Sequence, residues 1–312
     1  MIDDLSGGVP VLPHGTRPGR AGRTREVYRG GGGTPVIVDA HQHLWTADYA
    51  WLADPSLARI RRDYGVAELR RNLRAAGVDR TVLVEAGRCE AAETTEFLAT
   101  AAVTPEIAGV VGWASLTDPG LADVIAGHRN GTGGHLLVGI RDQVQSHPDD
   151  HLDRPEVRAG LATVAAADLV NELVVRVDQL PSVARAAAAL PDSRFALDHL
   201  GKPQIRAGVD GLVRWRELIA PVAACPNVAA KLSGLVTEAD WDGWTVEDLR
   251  PFVETAVELF GPARLMFGSD WPVCEVAASY REVRAALEAI LGGTPDDIFH
   301  DTATRTYRSA IA

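Results

Sequence analysis

Eight short and largely unbroken runs of apolar residues recur along this chain from residue 35 onward, and each alternates with a stretch of helical periodicity. Apolar runs of this kind are typical of strands that are buried on both faces of a parallel sheet. Eight strand–helix units are the number that closes a (β/α)8 barrel of roughly 250 residues. An open doubly wound sheet usually has a glycine-rich turn after its first strand, whereas this first strand ends in His-Gln-His. We therefore predict an α/β fold, a single (β/α)8 or TIM barrel.

The predicted strands and helices alternate in order along the chain. The strands are expected at residues 36–40, 80–85, 108–114, 136–140, 173–177, 194–198, 228–231 and 265–268. The helices are expected at residues 66–76, 91–103, 121–129, 155–167, 182–190, 212–223, 246–260 and 280–291. Reacting groups in such barrels lie at the carboxyl ends of the strands. Polar residues that end a strand are therefore the first candidates for a functional site.

The first 34 residues differ in composition from the rest of the chain. They are rich in glycine, proline and arginine, and they include four consecutive glycines at 30–33. Such a segment has little apolar surface to offset the entropy that is lost on ordering. We predict a disordered N-terminal tail over residues 1–34 and one catalytic domain over residues 35–312.

Charge and cysteine content bear on the partners and the compartment. The formal net charge of −11 and the pI of about 5.3 argue against nucleic acid or an anionic membrane as a partner. The three cysteines, Cys89, Cys225 and Cys274, form no CxxC pair, which is typical of a reduced cytoplasmic compartment. No apolar run reaches the ~18 residues that a membrane span needs. We expect a cytoplasmic protein that acts on a small molecule, and a homo-oligomer is compatible with the sequence.

Two histidines end the first predicted strand. Side chains alternate along a strand, so His41 and His43 face the same side and can reach the barrel lumen together. Two converging imidazoles can share one Zn²⁺-like ion or donate jointly to a substrate oxygen. A histidine pair on the surface is the alternative for this motif taken alone.

Two more strands end in candidate residues. His199 follows the sixth predicted strand, and Asp270 follows the eighth. A carboxylate beside an imidazole or metal cluster can take a proton from water and return it to a leaving oxygen. Taken singly, His199 is equally compatible with a core histidine, and Asp270 with an aspartate that caps a turn. Their coincidence with the histidine pair favours one shared site.

Five segments of the chain resemble a known family. They are VDAHQHLW at 38–45, VGIRDQVQ at 138–145, LDHLGKP at 197–203, KLSGLVTEADW at 231–241 and MFGSDWPVC at 266–274. In order and spacing they resemble the amidohydrolase superfamily, in the branch of sugar-acid lactonases whose types include L-fuconolactonase, L-rhamnonolactonase and the pyrone-dicarboxylate lactonases. The resemblance extends over residues 36–309. It implies hydrolysis of a cyclic ester in an amidohydrolase-type barrel.

The resemblance implies a role for each matched residue. His41 and His43 would polarise the lactone carbonyl with the assistance of His199. Asp270 would act as general base toward water and then as acid toward the departing alkoxide.

Further positions are expected to contact the substrate. Arg141 and Lys231 match positions that can bind a carboxylate or hydroxyl groups, and a salt bridge at the rim is the alternative for both. Tryptophans in the loops after the first, seventh and eighth strands, Trp45 and Trp271 among them, would form a sugar-stacking wall or simply cover the barrel mouth. That set is Trp45, Trp51, Trp241, Trp244 and Trp271.

The metal content stays open between one ion and none. Binuclear members of the superfamily carry a carboxylated lysine or a glutamate after strand four and a histidine after strand five, where this chain has Arg141 and Arg176. Arginine has no lone pair for a metal ion, so a two-metal site is not expected. One divalent, Zn-like ion on His41, His43 and Asp270 is compatible with the resemblance. Without it, the histidines and Arg141 would polarise the carbonyl. No organic cofactor is expected.

Two other functions and two other motifs complete the alternatives. A metal-dependent decarboxylase of the same superfamily has a similar HxH and aspartate, and a non-catalytic barrel would not need every polar position to be occupied. His147 and His151 have the spacing of a metal pair, but Pro148 and two aspartates between them indicate a solvated loop. No base is evident beside Cys274, which we interpret as an inert, buried thiol.

Overall fold

One parallel β-sheet organises the chain. In the computed structural model, which describes residues 36–308, eight strands are hydrogen-bonded in the order of the sequence. They are β1 (Val38–Gln42), β2 (Arg80–Val84), β3 (Ile107–Trp113), β4 (Leu137–Asp142), β5 (Val170–Leu173), β6 (Phe195–Leu197), β7 (Val228–Leu232) and β8 (Leu265–Phe267). The tail predicted at residues 1–34 lies outside the described residues.

The first and last strands meet through backbone hydrogen bonds. Every pair of neighbours from β1–β2 to β7–β8 is parallel. Gln42 of β1 forms a parallel bridge with Trp271, just beyond β8, and the amide of Asp270 donates to the carbonyl of His41 at 2.9 Å. The predicted (β/α)8 barrel is confirmed as a nearly closed ring of eight strands with helices between them.

Helices connect the strands at bounds close to those predicted. They are α1 (Val66–Ala76), α2 (Ala91–Ala102), α3 (Leu121–Asn130), α4 (Pro155–Ala166), α5 (Leu180–Ala189), α6 (Gly208–Ala223), the single turn α7 (Leu235–Glu238), α8 (Val246–Phe260), α9 (Tyr280–Leu291) and α10 (Thr302–Tyr307). The first helix shows the local cause: Leu69 and Leu73 are buried on one face, and Gly77 ends it in the left-handed conformation at a φ of 61°.

The fifth strand lies earlier in the chain than predicted. It covers Val170–Leu173 rather than residues 173–177. The longer apolar run, with Val174 and Val175, is buried in the loop beyond the strand, and the strand itself holds Glu172. Arg176 is consequently not at the strand end; its guanidinium donates to Asp149 at 2.7 Å, and its side chain is 43% exposed. A charged residue inside a buried strand explains why apolarity alone located this strand wrongly.

Small apolar side chains fill part of the barrel interior. Residues such as Val82, Val138 and Val170 pack with Met266, and α10 adds Tyr307 to this cluster. A larger apolar cluster lies between the strands and the surrounding helices. Across residues 36–308, no helix is both long and apolar enough to cross a bilayer. The interior left open by these small side chains is the space into which the polar strand ends project.

Candidate active site

An irregularity in β1 directs its histidines into the barrel. Asp39 pairs with Thr81 and Gln42 pairs with Leu83, so two residues of β1, one of them His41, oppose a single residue of β2. Such a bulge turns the strand locally and redirects its side chains. The Nε2 atoms of His41 and His43 consequently lie 3.0 Å apart, and both residues are buried. The structure thus brings the two histidines together as the sequence predicted.

His199 and Asp270 complete a cluster that we call the four-residue centre: His41, His43, His199 and Asp270. The Oδ1 atom of Asp270 lies 3.5 Å from Nε2 of His43, 3.7 Å from Nε2 of His41 and 3.9 Å from Nε2 of His199. His199 and Asp270 both have a left-handed backbone, with φ of 52° and 55°. This conformation costs a non-glycine residue roughly 1–3 kcal/mol, and residues that hold it cluster at active sites.

Hydrogen bonds outside the centre fix the orientation of its rings. The Nδ1 atom of His43 donates to the backbone carbonyl of Val84 at 2.9 Å, which leaves a lone pair on Nε2 toward Asp270. The Nδ1 atom of His199 is 2.8 Å from the hydroxyl of Ser233. Glycine at 234 leaves room for the His199 ring, since a Cβ there would lie 2.6 Å from Nδ1.

At neutral pH the centre contains an ionised carboxylate beside the neutral rings of His41 and His199. Burial lowers the pKa of His41 well below its usual value, and it lowers the pKa of His199 to about 4 despite the attraction of Asp270. Burial alone would raise the pKa of Asp270, but attraction to His199, the closeness of His43 and attraction to His41 hold it below the usual range. Asp270 is therefore ionised at neutral pH, which is the form of a carboxyl group that can take a proton.

The structure places Lys231 beneath the centre rather than in the substrate cleft. Its ammonium is fully buried and lies 2.5 Å from Glu172, 3.1 Å from Asp198 and 3.1 Å from Nδ1 of His41. The expected substrate contact is corrected, because every one of these partners belongs to the protein. Burial, followed by the charge of Asp198, raises the pKa of Glu172 to about 7.

Arg141 is also held by carboxylates, at the edge of the cleft. Its Nη1 atom donates to Asp198 at 2.9 Å, and its Nε and Nη2 atoms donate to the side chain and the backbone carbonyl of Glu85 at 2.5 and 2.6 Å. The residue is 4% exposed and lies among those that line the cleft. Buried ion pairs keep the guanidinium in a fixed position, so it can approach a substrate only through its cleft-facing edge.

A cleft of about 390 Å³ opens above the centre. This volume lies in the range of small-molecule sites, roughly 300–1,000 Å³. Trp45 and Trp51 form an aromatic side of it, with ring centroids 5.1 Å apart. The polar part of its lining includes Gln143, Gln145, Ser146, Lys202 and Thr237.

Two other residues from the sequence analysis lie away from the cleft. Trp271 is fully buried, donates from its indole to Glu275 at 2.8 Å and packs on Tyr64, so the expected substrate contact is corrected for this residue. Cys274 is also fully buried, and burial raises the pKa of its thiol well above the usual value.

The donor set of the centre fits one divalent metal ion. The ligand atoms of His41, His43 and Asp270 lie within 4.8 Å of one another. The Oδ1 atom of Asp270 is buried and has no hydrogen-bond partner among the described residues. Buried oxygens nearly always have a partner, and a bound cation would supply one here. Two imidazoles and a carboxylate are common zinc ligands.

Three buried carboxylates that hold Arg141 and Lys231 were not among the residues predicted from the sequence. Glu85, Glu172 and Asp198 are all buried and all contact Arg141 or Lys231. Each of these residues is a charged residue within an apolar strand or at its end. Charged residues are almost never buried unless they are paired, so this position could have indicated a buried ion pair. Ser233 has no comparable signal, since its role depends on the neighbouring strand.

Comparisons with known proteins agree with this geometry. A model of the amidohydrolase family matches residues 38–309. L-fucono-1,5-lactonase of Burkholderia multivorans is 40% identical over 264 residues, which are 80% of this chain and 87% of that protein. L-fucono-1,5-lactonase of Burkholderia ambifaria is 35% identical over 257 residues, which are 80% of this chain and 85% of that protein.

A solved structure extends the comparison. A crystal structure of an amidohydrolase from Burkholderia multivorans with bound zinc superposes with a TM-score of 0.82 at 35% identity and covers 88% of this chain and 99% of that one. The resemblance found in the five sequence segments is confirmed: the chain belongs to the amidohydrolase family, in the branch that includes the L-fucono-1,5-lactonases.

Proposed function

We propose that this enzyme hydrolyses the ring ester of a small sugar-derived lactone, an aldonolactone, with Asp270 as the proton-transferring group. The observation that carries the proposal is the position of Asp270: an ionised carboxylate whose Oδ1 atom lies within 3.9 Å of three histidine Nε2 atoms beneath the cleft. The two relatives named L-fucono-1,5-lactonase support the class of substrate.

Asp270 performs the proton transfers. Its carboxylate takes a proton from a water molecule in the cleft, and the water oxygen attacks the lactone carbonyl carbon. The bond between that carbon and the ring oxygen then breaks, and Asp270 returns the proton to the departing alkoxide. The product is an open-chain hydroxy acid in which the former ring oxygen is a hydroxyl group. General acid–base transfer of this kind contributes about 10²- to 10⁴-fold to a rate.

The histidines act on the carbonyl oxygen, where negative charge develops. His199 presents its Nε2 atom to the cleft while Ser233 holds the other ring nitrogen, so an Nε2 proton can be donated to this oxygen. A divalent ion held by His41, His43 and Asp270 would supply Lewis-acid polarisation of the same carbonyl. Because these donors are fixed before the substrate arrives, little reorganisation is needed during the reaction.

The cleft suits a polyhydroxylated ring. Gln143, Gln145 and Lys202 form a connected polar side, since Lys202 donates to Gln145 at 2.6 Å and Gln145 donates to Gln143 at 3.0 Å. Amide groups can both donate to and accept from sugar hydroxyls. The indoles of Trp45 and Trp51 offer apolar faces to the ring carbons. This combination favours a sugar lactone over a purely apolar ester.

The reaction class is tested by following acid release from a panel of aldonolactones with a pH indicator. The protein is assayed as purified, after treatment with a chelator, and after zinc is restored. We expect acid release from at least one lactone of the panel and reduced rates after chelation that zinc restores. Loss of CO₂ from an aromatic acid, with no lactone opened, would contradict the proposal and indicate a decarboxylase.

Asp270→Asn tests the role of the carboxylate. We expect kcat to fall by at least ~10²-fold, because the amide accepts no proton from water. Asp192→Asn, an exposed aspartate, is the matched control and should retain the wild-type rate. Circular dichroism of both variants checks that the fold is kept. Normal turnover by Asp270→Asn would remove this residue from the mechanism.

A further inference from the structure

A second group of metal-ligating side chains lies in the loop after β4 and shares no residue with the four-residue centre. Asp142 ends β4, and His147 and His151 follow it in the loop. One ligand atom from each of the three lies within 4.8 Å of the others. The predicted solvated loop is wrong for His151, which is 2% exposed. We propose that Asp142, His147 and His151 form a structural site for a divalent transition-metal ion, with zinc as the best match.

The strongest observation concerns the two ring nitrogens of His151. Both are buried, and neither has a hydrogen-bond partner among residues 36–308. Buried polar atoms in proteins nearly always have a partner, because the hydration lost on burial must be replaced. A neutral imidazole has a lone pair on one of its two nitrogens, and a metal ion in this pocket would accept it.

Asp142 and His147 supply the other two donors. The carboxylate of Asp142 is oriented by the backbone amides of Leu116 and Gln143, at 3.1 and 2.8 Å, and each oxygen keeps a lone pair. Outer hydrogen bonds of this kind typically orient metal-binding carboxylates. The ring of His147 is stacked on that of His151, with centroids 3.9 Å apart and planes 5° from parallel. Because an imidazole binds a metal ion in the plane of its ring, the His147 ring has to rotate out of this stack to share an ion with His151.

The donor set favours zinc. Two imidazoles and one carboxylate occur in zinc sites, with water at the fourth position. Bonds of about 2.0–2.2 Å in a tetrahedral arrangement place donors roughly 3.3–3.5 Å apart. The three donors would have to contract from separations of up to 4.8 Å. His147 is only half-buried, so its side chain can make this adjustment.

The site would constrain one side of the substrate cleft. Gln143, Gln145 and Ser146 lie between the ligands along the chain, and all three line the cleft. A metal ion that joins Asp142 to the two histidines would close this segment into a ring. The bound metal ion would thereby limit the motion of the polar side chains that face the substrate, and it would not contact the reacting atoms.

Zinc binding to metal-free protein tests the site. Equilibrium dialysis with zinc alone would compare the wild type with His147→Gln, and with His135→Gln as a control at an exposed histidine outside every cluster. We expect His147→Gln to bind one equivalent less, or to hold that equivalent at least ~100-fold more weakly, whereas His135→Gln should match the wild type. Because both variants keep the four-residue centre, zinc bound there cancels in the comparison.

A second variant and a thermal measurement guard against misfolding. Asp142→Asn should lose the same equivalent as His147→Gln, and zinc should raise the melting temperature of both variants less than that of the wild type. Melting curves without zinc check that each variant is folded. Unchanged zinc stoichiometry and affinity in both variants would overturn the proposal. An equal loss in His135→Gln would overturn it too, since it would identify adventitious surface binding.

Discussion

The position of His199 depends on the missing side chain at Gly234. A Cβ at this position would lie 2.6 Å from Nδ1 and 2.7 Å from Cγ of His199, and the residue has a φ of 63°. Gly234→Ala must therefore displace the ring and weaken its hydrogen bond with Ser233. We expect kcat to fall by ~10²-fold, which is the cost of a displacement of about 1 Å in a catalytic group. Steady-state kinetics with a lactone turned over by the wild type would measure it.

Gly127→Ala is the matched control for this substitution. Gly127 lies in α3, and a Cβ there would meet nothing within 4 Å. Alanine in a helix interior should stabilise the protein by about 0.5–1 kcal/mol and leave turnover unchanged. If Gly234→Ala keeps the wild-type kcat, the placement of His199 is not critical for the reaction.

The residues of the centre could be predicted from the sequence because each lies at the end of an apolar strand or within three residues of it. His41, His199 and Asp270 required only strand ends and the rule that such ends meet at one rim. Gly234 was present in a recognised segment, but its purpose depends on the distance to a residue of the neighbouring strand. Lys231 also lies in a recognised segment, yet the direction in which its side chain points depends on two buried carboxylates. Contacts between side chains of different strands cannot be inferred from neighbouring residues in the sequence. The roles of Gly234 and Lys231 were therefore evident only from the structure.

At the scale of secondary-structure elements, a hydrogen-bonded cluster around Asp39 joins β1, the segment after β8 and α9. The buried carboxylate of Asp39 accepts from the amide and hydroxyl of Ser269, at 2.9 and 2.6 Å, and from the hydroxyl of Tyr280 at 2.8 Å. Asp39 and Ser269 each lie close in sequence to a residue of the four-residue centre. The cluster therefore stabilises the junction at which the barrel closes.

Removal of the Tyr280 hydroxyl should weaken this junction in a pH-dependent way. Burial raises the pKa of Asp39 above 3.8, and hydrogen bonds, that of Tyr280 among them, oppose the rise. Tyr280→Phe should cost about 1.5–3 kcal/mol where Asp39 is ionised. Because the variant raises the pKa of Asp39 further, the loss should be larger at pH 8 than at pH 5, where more of the carboxyl is protonated.

Urea unfolding at both pH values measures the effect of Tyr280→Phe. Tyr64→Phe is the control, since its hydroxyl donates at 2.8 Å to Glu275, whose side chain is 26% exposed and can be rehydrated. We expect a smaller loss for this control. A loss for Tyr280→Phe that is equal at pH 5 and pH 8 would show that the charge of Asp39 does not contribute.

Most helices and strands could be predicted because apolar periodicity and the glycines that end helices are local properties of the sequence. The helices α1, α8 and α9 have the predicted bounds, since each has an apolar face and a glycine after its last residue. The strand β5 was located wrongly because Glu172 interrupts its apolar run while the following loop continues it. Burial of that glutamate is compensated by Lys231, which is distant in sequence.

At the scale of the whole molecule, buried charges connect most of the barrel. Lys231 of β7 contacts Glu172 of β5 and Asp198 after β6, and Arg141 of β4 contacts Asp198. The hydroxyl of Tyr307 in α10 donates to Glu172 at 2.7 Å. Because burial raises the pKa of Glu172 to about 7, this carboxyl exchanges its proton near neutral pH. The folded barrel and the support of His41 thus depend on the same ion pairs.

Lys231→Met tests how strongly these charges contribute to stability. The variant leaves Glu172 and Asp198 buried without the ammonium, so we expect a loss of about 3–5 kcal/mol in the free energy of unfolding. The loss should be smaller at pH 6 than at pH 8, because Glu172, whose pKa rises further in the variant, takes up a proton at the lower pH.

The only other lysine provides the matched control for this substitution. Lys202 lies at the cleft, and its ammonium donates to the neutral amide of Gln145, so Lys202→Met should change stability by less than about 1 kcal/mol. The double variant Lys231→Met/Glu172→Gln should recover part of the lost stability. In this variant Glu172→Gln removes one of the two carboxylates that Lys231→Met leaves without the ammonium. Equal stability of Lys231→Met and Lys202→Met in urea unfolding would show that the buried ammonium does not hold the barrel together.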